Sequence, residues 1–334
     1  MKIVIATGIY PPATSGPAQY AAALEREWVA RGNAVTVVTY GLENRLPTGV
    51  RHLLFFLRVL PVAARADFVL ALDTFSVGLP TVAAARLLGR KIIIRTGGDF
   101  LYEQFVQRSG EQVLLSKFYL ESRAFTRKEK IIFALTRWTL RNVSALVFST
   151  TWQRDIFLKP YALEQQKIFI VENRFDEKIS DEPAATKNFI FATRPIAYKN
   201  IEKFKEAFAA AQKQTPEISL DIFHATPHDE LMKKIATCYA VVMPSLGEIS
   251  PHVITDALRC NKPFLLTRES GYAQKLRDVG LLIDPLSAED MTQKILWIVQ
   301  DANYAAAMAR VRGYNYTHSW GQIADELLKI ANEI

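Results

Sequence analysis

The chain has 334 residues, more than one hydrophobic core usually organises, so two domains are expected. Hydrophobic residues make up 49% and charged residues 22%, the balance of an ordinary globular protein, and no apolar run approaches the roughly 18 residues of a membrane-spanning helix. The net charge of +7 is uneven: residues 1–175 carry 23 Lys/Arg against 13 Asp/Glu, and residues 176–334 carry 18 against 21. The basic first half is expected to meet something anionic, with a membrane surface, a phospholipid-like acceptor and nucleic acid as candidates.

Residues 2–6 read as a buried strand, followed by a proline-marked loop from Thr7 to Pro17 that contains Gly8 and Gly16. A helix is expected over 18–30, ended by Gly32-Asn33, and then a strand over 34–39. Strands at 68–72, 91–95, 145–149 and 168–171 continue the series, with helices at 79–88 and near 111–141. The segment from Asn173 to Lys187 turns polar, with Asp176, Glu177, Asp181, Glu182 and Pro183, as a linker would. A second alternating series follows. Its strands fall at 189–191, 220–223, 240–243, 263–266 and 281–283, and its helices at about 200–213, 228–236, 252–260, 270–277 and 288–299. The tail from Tyr304 to Ile334 reads as helical with a break at Gly313. Such alternation predicts two doubly wound parallel-sheet domains of Rossmann-like α/β class, with ligands in the cleft between them. The domains are expected at 1–175 and 176–315, with a last helix at about 316–334 that packs back on the first.

Several chemistries lack their signature. The loop after the first strand holds Gly8 and Gly16 eight apart, not the G-x-G-x-x-G of a dinucleotide site, and no G-x-x-x-x-G-K-[ST] phosphate loop occurs. No H-E-x-x-H or aspartate-rich loop appears, so no metal is expected. Cys238 and Cys260 have no zinc spacing and read as small buried hydrophobes in a reduced, intracellular setting. The opening MKIVIATGIYPP enters a strand directly and lacks a signal peptide's apolar region.

The second half carries a set suited to a diphosphate. Arg194 and Lys199 flank a strand-end loop, where two cations could clamp phosphates. The helix beginning near Pro251 and His252 would aim free N–H groups and its positive end at the same anion. Glu248 and Asp256, eight apart, could accept from sugar and ribose hydroxyls.

These residues fall into a pattern that resembles the retaining GT-B glycosyltransferases of family 4, the group 1 glycosyltransferases, over nearly the whole chain. Tyr10-Pro11-Pro12 with Gly16, then Arg31-Gly32-Asn33-Ala34-Val35, resembles their opening glycine-rich loop and "RGHeV". Val171-Glu172-Asn173 resembles "v-x-N-G" at the end of their first domain. Arg194 and Lys199 match the Arg and Lys of "GRL-x-x-x-KG" at the same spacing, and Pro244-Ser245 through Glu248 and Asp256-Ala257 resembles "PS-x-x-E-x7-E-A". Lys262-Pro263, Glu269-Ser270-Gly271 and Leu281 to Pro285 resemble three further motifs in order.

The resemblance implies a nucleoside-diphosphate sugar donor, no cofactor and no metal. It implies that Arg194 and Lys199 bind the diphosphate, Glu248 the sugar hydroxyls and Asp256 the ribose. The backbone at Ile249, Ser250 and Pro251 would line the phosphate site, with Gly16 beside the donor. Three departures stand out. Asp256 is one methylene shorter than the usual Glu, Ile249 replaces a small residue, and a histidine common after the fourth strand is absent. There the chain reads Arg95 to Glu103, similar to a bacterial subset with "GD-x-x-(W/Y)-E". Asp99 is accordingly placed near the reacting sugar or acceptor hydroxyl, with a helix N-cap or turn residue as the alternative.

Two basic patches remain. Arg51, Arg58 and Arg65 recur every seven residues around Leu53 to Leu57, and a second group joins Arg123, Arg127, Lys128, Lys130, Arg137 and Arg141. One of the two is expected to meet an anionic membrane or lipid acceptor, the alternative being a core-facing helix. Taken together, a glycan or lipid-linked acceptor and a cytoplasmic location, peripheral on the inner face of the plasma membrane, are expected. The rivals are a non-catalytic nucleotide-sugar-binding GT-B protein and a nucleotide-sugar epimerase. Nucleic-acid binding is not expected, because no recognition motif accompanies the charge.

Overall fold

A computed structural model describes residues 1–13, 16–179 and 182–334. Thr14 and Ser15 of the first loop, and Asp181 of the polar linker, lie outside the described residues. The chain divides into two compact units, one of Met1–Leu101, Arg123–Asn173 and His318–Ile334, the other of Tyr102–Ser122 and Arg174–Thr317. Set beside the expected bounds of 1–175 and 176–315, residues 102–122 go with the second unit and the breaks fall after Asn173 and Thr317.

In chain order the first half holds β1 (Lys2–Thr7), α1 (Gly16–Ala30), β2 (Ala34–Thr39), α2 (Thr48–Ala63), β3 (Phe68–Ala71) and α3 (Gly78–Leu87). It continues through β4 (Lys91–Arg95), α4 (Phe100–Ser109), α5 (Arg127–Arg141), β5 (Ala145–Phe148), α6 (Thr151–Leu158) and β6 (Ile168–Ile170). The six strands form one parallel sheet in the order β2-β1-β3-β4-β5-β6, with Ile3 beside Val35 on one side and Phe68 on the other. The inner strands are near-continuous Val, Ile, Leu and Ala because helices cover both faces.

The sheet grows from β1 in one direction to β2 and in the other to β3 and beyond. Right-handed crossovers then place α1 on one face and α2, α3 and α5 on the opposite face. α2 packs against α3, and α3 against α5.

The second half runs β7 (Lys187–Ala192), α7 (Ile201–Gln212), β8 (Ile218–Phe223), α8 (His228–Thr237), β9 (Ala240–Met243) and α9 (His252–Arg259). β10 (Phe264–Thr267), β11 (Leu281–Ile283), α10 (Ala288–Ile298) and α11 (Asp301–Gly313) complete it. Its five strands are parallel in the order β11-β10-β9-β7-β8. The helix expected over 270–277 is instead a run of turns. The Gly271 N–H donates to the Glu248 carbonyl at 2.8 Å, beside a bridge between Glu248 and Ser270.

The last helix, α12 (Trp320–Glu333), starts at a capping box of Ser319 and Gln322 and belongs to the first unit. It packs on α1: Ile323, Ala324 and Leu327 are fully buried, and Trp28 Nε1 donates to the Ala324 carbonyl at 3.1 Å. Among the described residues no helix is long and apolar enough to cross a membrane.

Candidate active site

The second unit gathers its charged residues where β7 and β9 end. After β7 the chain makes a short turn, Ala197–Lys199, and then places Asn200 in the left-handed region at φ 60°. Asparagine tolerates that conformation, which explains how it can stand where the resembled motif has glycine. Its side-chain amide donates to the carbonyls of Pro244 (3.1 Å) and Pro285 (2.7 Å), so one buried residue pins three strand-end loops together.

That pinning sets Lys199 against Glu248. Their ammonium and carboxylate form an ion pair, with side chains only 11% and 10% exposed. The Lys199 ammonium also lies 4.8 Å from the centroid of the Tyr198 ring, a cation–π distance. In this site the lysine charge is already balanced before any ligand arrives.

Arg194 is balanced too, by a residue from α4. Its Nη2 lies 3.8 Å from Glu103 Oε2 and 3.4 Å from the Tyr198 hydroxyl, which in turn donates to Glu103 Oε1 at 3.4 Å. The Arg194 side chain is 67% exposed and that of Glu103 25%, so the contact is loose and the cation can turn toward a ligand. Burial pushes the Glu103 carboxyl above its ordinary value, although Arg194 and Lys199 pull it back. Burial likewise drives the Tyr198 phenol up.

Two further bonds anchor α4 and its following loop to this unit. Gln107 accepts from the Ala197 N–H at 2.9 Å, and the Leu115 N–H donates to the Leu246 carbonyl at 3.0 Å. The approach at Leu115 is so close that a Cβ on Gly247 would lie 2.5 Å from the Leu115 Cβ.

Glu248 itself is held by its backbone, its N–H donating to the Glu269 carbonyl at 2.8 Å. Half-buried Ile249 and Ser250 and buried Pro251 lead into α9, whose start has no side-chain cap. An uncapped helix start offers N–H groups and a positive dipole end to an anion. Asp256, within α9, is buried and faces His228 from α8, with Nε2 at 3.2 and 3.3 Å from its two oxygens. That hydrogen bond raises the His228 pKa above its ordinary value, against the effect of burial.

Of the residues singled out in the sequence, Arg194, Lys199 and Glu248 thus fall in one cluster, and Ile249 to Pro251 lie between it and α9. Asp256 sits one helix turn into α9 with a histidine partner. Asp99 and Gly16 belong to the first unit: Asp99 is buried directly before α4, and half-buried Gly16 opens α1. Sequence reasoning missed Glu103, Tyr198 and His228. Glu103 stands in the quoted stretch from Arg95 to Glu103, but nothing in the sequence says that α4 leaves the first unit after Leu101. Asn173, read as part of a motif, accepts from Arg95, and its carbonyl meets His318 Nδ1 at 3.3 Å, so it fastens the first unit's final segment.

Comparison with known proteins adds to this geometry. Residues 219–312 match the family model of the glycosyl transferases group 1, a stretch that contains Glu248 and Asp256 and begins after Arg194 and Lys199. A search of curated protein sequences returned no match. Among solved structures, sucrose-phosphate synthase from Thermosynechococcus elongatus is similar at 14% identity, covering 99% of this chain and 98% of that one, with a TM-score of 0.70. WaaG, a glycosyltransferase involved in lipopolysaccharide biosynthesis, is similar at 15% identity, 98% and 99% coverage and a TM-score of 0.70. Anabaena Alr3699/HepE, solved in complex with UDP and glucose, gives 14% identity, 100% and 98% coverage and a TM-score of 0.62. At such identities the structural likeness speaks for the fold, two parallel-sheet Rossmann-like units of GT-B type. With a match to the group 1 family model in its second unit and the GT-B fold over its whole length, the chain is a glycosyltransferase.

Proposed function

We propose that the enzyme moves a sugar from a nucleoside-diphosphate sugar to a hydroxyl of a glycan or lipid-linked acceptor, with retention at the anomeric carbon and without a metal or cofactor. The observation that carries this reading is the convergence of Arg194, Lys199 and Glu248 at the strand ends of the second unit. On donor binding, the diphosphate takes over the two cations from Glu103 and Glu248. Glu248, released from full pairing, accepts hydroxyls of the sugar, and the start of α9 adds N–H groups to the phosphates. Asp256, held by His228, is assigned to the ribose, and Asp99 and Gly16 keep their roles at the sugar and donor by resemblance alone.

In the transfer step the bond from the anomeric carbon to the phosphate oxygen breaks, and its electron pair leaves on the diphosphate. The acceptor oxygen bonds to the same face of that carbon, and its proton passes to the departing phosphate oxygen. The cations stabilise charge that grows as the bond breaks, and losing one such contact typically costs about 3–4 kcal/mol of barrier. That Alr3699/HepE was solved with UDP and glucose supports a UDP-sugar as the first donor to try. Arg194→Ala should lower turnover by about two to three orders of magnitude. The loss should come with under about 0.5 kcal/mol of stability, since the side chain is largely exposed. Donor turnover in excess EDTA should be unchanged. Near-wild-type turnover of Arg194→Ala would remove the assigned role.

A further inference from the structure

The two basic patches noted in the sequence come together on one side of the first unit, on the neighbouring helices α2, α3 and α5. We propose that the outer surface of these three helices docks on a bilayer containing anionic phospholipid. The first observation is apolar exposure. α2 turns Val50, Leu53, Leu54 and Leu57 outward at helical spacing, each at least 38% exposed. α3 adds Leu87 at 70%, and α5 adds Ile131 at 59% and Trp138 at 40%. More than half of the exposed large apolar side chains among the described residues lie on these helices, whereas scattered single ones would need no explanation.

Charge is the second observation, and it chooses the occupant. α2 and α3 contain no acidic residue, and the one acid of α5, Glu129, is buried in a capping box with Thr126. Arg51 and Arg58 are tied back to the turn before α2, Arg58 by Glu43 and Arg51 by the carbonyls of Glu43, Asn44 and Leu46. Arg86, Arg127, Lys128, Lys130 and Arg141 stay exposed. The opposite face of the same sheet is different: α1 and α12 carry Glu25, Glu27, Asp325, Glu326 and Glu333 against Arg26 and Lys329. Cations interleaved with outward leucines and a tryptophan suit the interface of an anionic membrane.

Beside α5 a groove of about 410 Å³ is lined in part by Phe133, Arg137, Trp138 and Arg141, with Glu164 as its one acid.

The test is co-sedimentation of the full chain with phosphatidylcholine vesicles, with and without phosphatidylglycerol, at low and high salt. Docking predicts binding to the anionic vesicles alone, loss as salt rises, and a blue shift of tryptophan emission that Trp138→Phe removes. Lys128→Glu with Lys130→Glu should weaken binding by about 25-fold or more, about fivefold for each cation lost. Lys329→Glu, an equal change per residue on the opposite face, should leave it within about twofold. All of these side chains are exposed, and donor hydrolysis serves to check that the variants fold. Absence of binding to anionic vesicles at low salt, or equal binding to neutral ones, overturns the proposal. So does a concentration-dependent dimer that Leu53→Ser with Leu57→Ser dissolves while vesicle binding is unchanged, because the apolar stripe would then serve a second copy.

Discussion

Removing the Lys199 charge tests whether that lysine serves a ligand or only its neighbour. In Lys199→Met the Glu248 carboxylate, 10% exposed, loses its cation inside the protein. Losing one partner of a fully buried pair costs about 3–5 kcal/mol, and the residual exposure here trims that to about 2–3 kcal/mol. Glu248→Gln should cost less, about 1–2 kcal/mol, because the stranded ammonium keeps its place over the Tyr198 ring. The double variant strands neither charge and should lie within about 1 kcal/mol of the wild type, a coupling of about 3 kcal/mol. Urea unfolding of the four proteins measures this cycle. Turnover should behave differently: Lys199→Met should lose about 100- to 1000-fold, and the double variant should recover none of it. A double variant within tenfold of wild-type turnover would refute the reasoning, since Lys199 would then serve to neutralise Glu248 and not to hold the leaving diphosphate. Additive stabilities across the cycle would refute the pairing itself.

Burial raises the Glu103 carboxyl above 4.5, so the folded state holds its proton more tightly than the unfolded chain. Stability should therefore fall as pH rises from about 4.5 through the folded value, and in Glu103→Gln that decline should flatten; parallel denaturation midpoints across pH 4.5–7.5 would contradict it. His228 is shifted upward by Asp256, so its contribution is full below 6.5 and is lost as pH rises through the folded value. Its imidazole titration, followed by NMR, should have a midpoint above 6.5 that drops in Asp256→Asn. Gly247→Ala puts a methyl 2.5 Å from the Leu115 Cβ and should destabilise by about 1–3 kcal/mol, with partial rescue by Leu115→Ala; equal melting temperatures for Gly247→Ala and wild type would refute the close approach.

Alternating short apolar runs and helical stretches were enough to locate the eleven strands found among the described residues, because buried parallel strands are apolar on both faces and bounded by turn residues. Elements whose signal is mixed escaped. α4 (Phe100–Ser109) and α6 (Thr151–Leu158) are short helices with weak periodicity, and the helical pattern over 270–277 gives a run of turns instead. Within the site, Arg194, Lys199 and Glu248 could be read because each sits at a fixed distance from a strand end. Glu103 and His228 could not, since their roles depend on which helix packs beside which loop, and they lie 91 and 28 residues from the partners they meet. The basic patches show the same divide. Their charge was plain in the sequence, but only the crossover geometry puts α2 and α5 on one side of one sheet.

The placement of α12 bears on how the protein is made. Core positions of the first unit are filled by Ile323, Ala324 and Leu327, and the Trp28 indole finds its acceptor at Ala324. During synthesis the amino-terminal sheet emerges with that side of α1 uncovered, while Arg174–Thr317, the larger part of the second unit, is still being translated. The core of that earlier unit is therefore complete only once residues 320–331 have emerged, and until then Trp28 and Leu24 lack α12 as their cover.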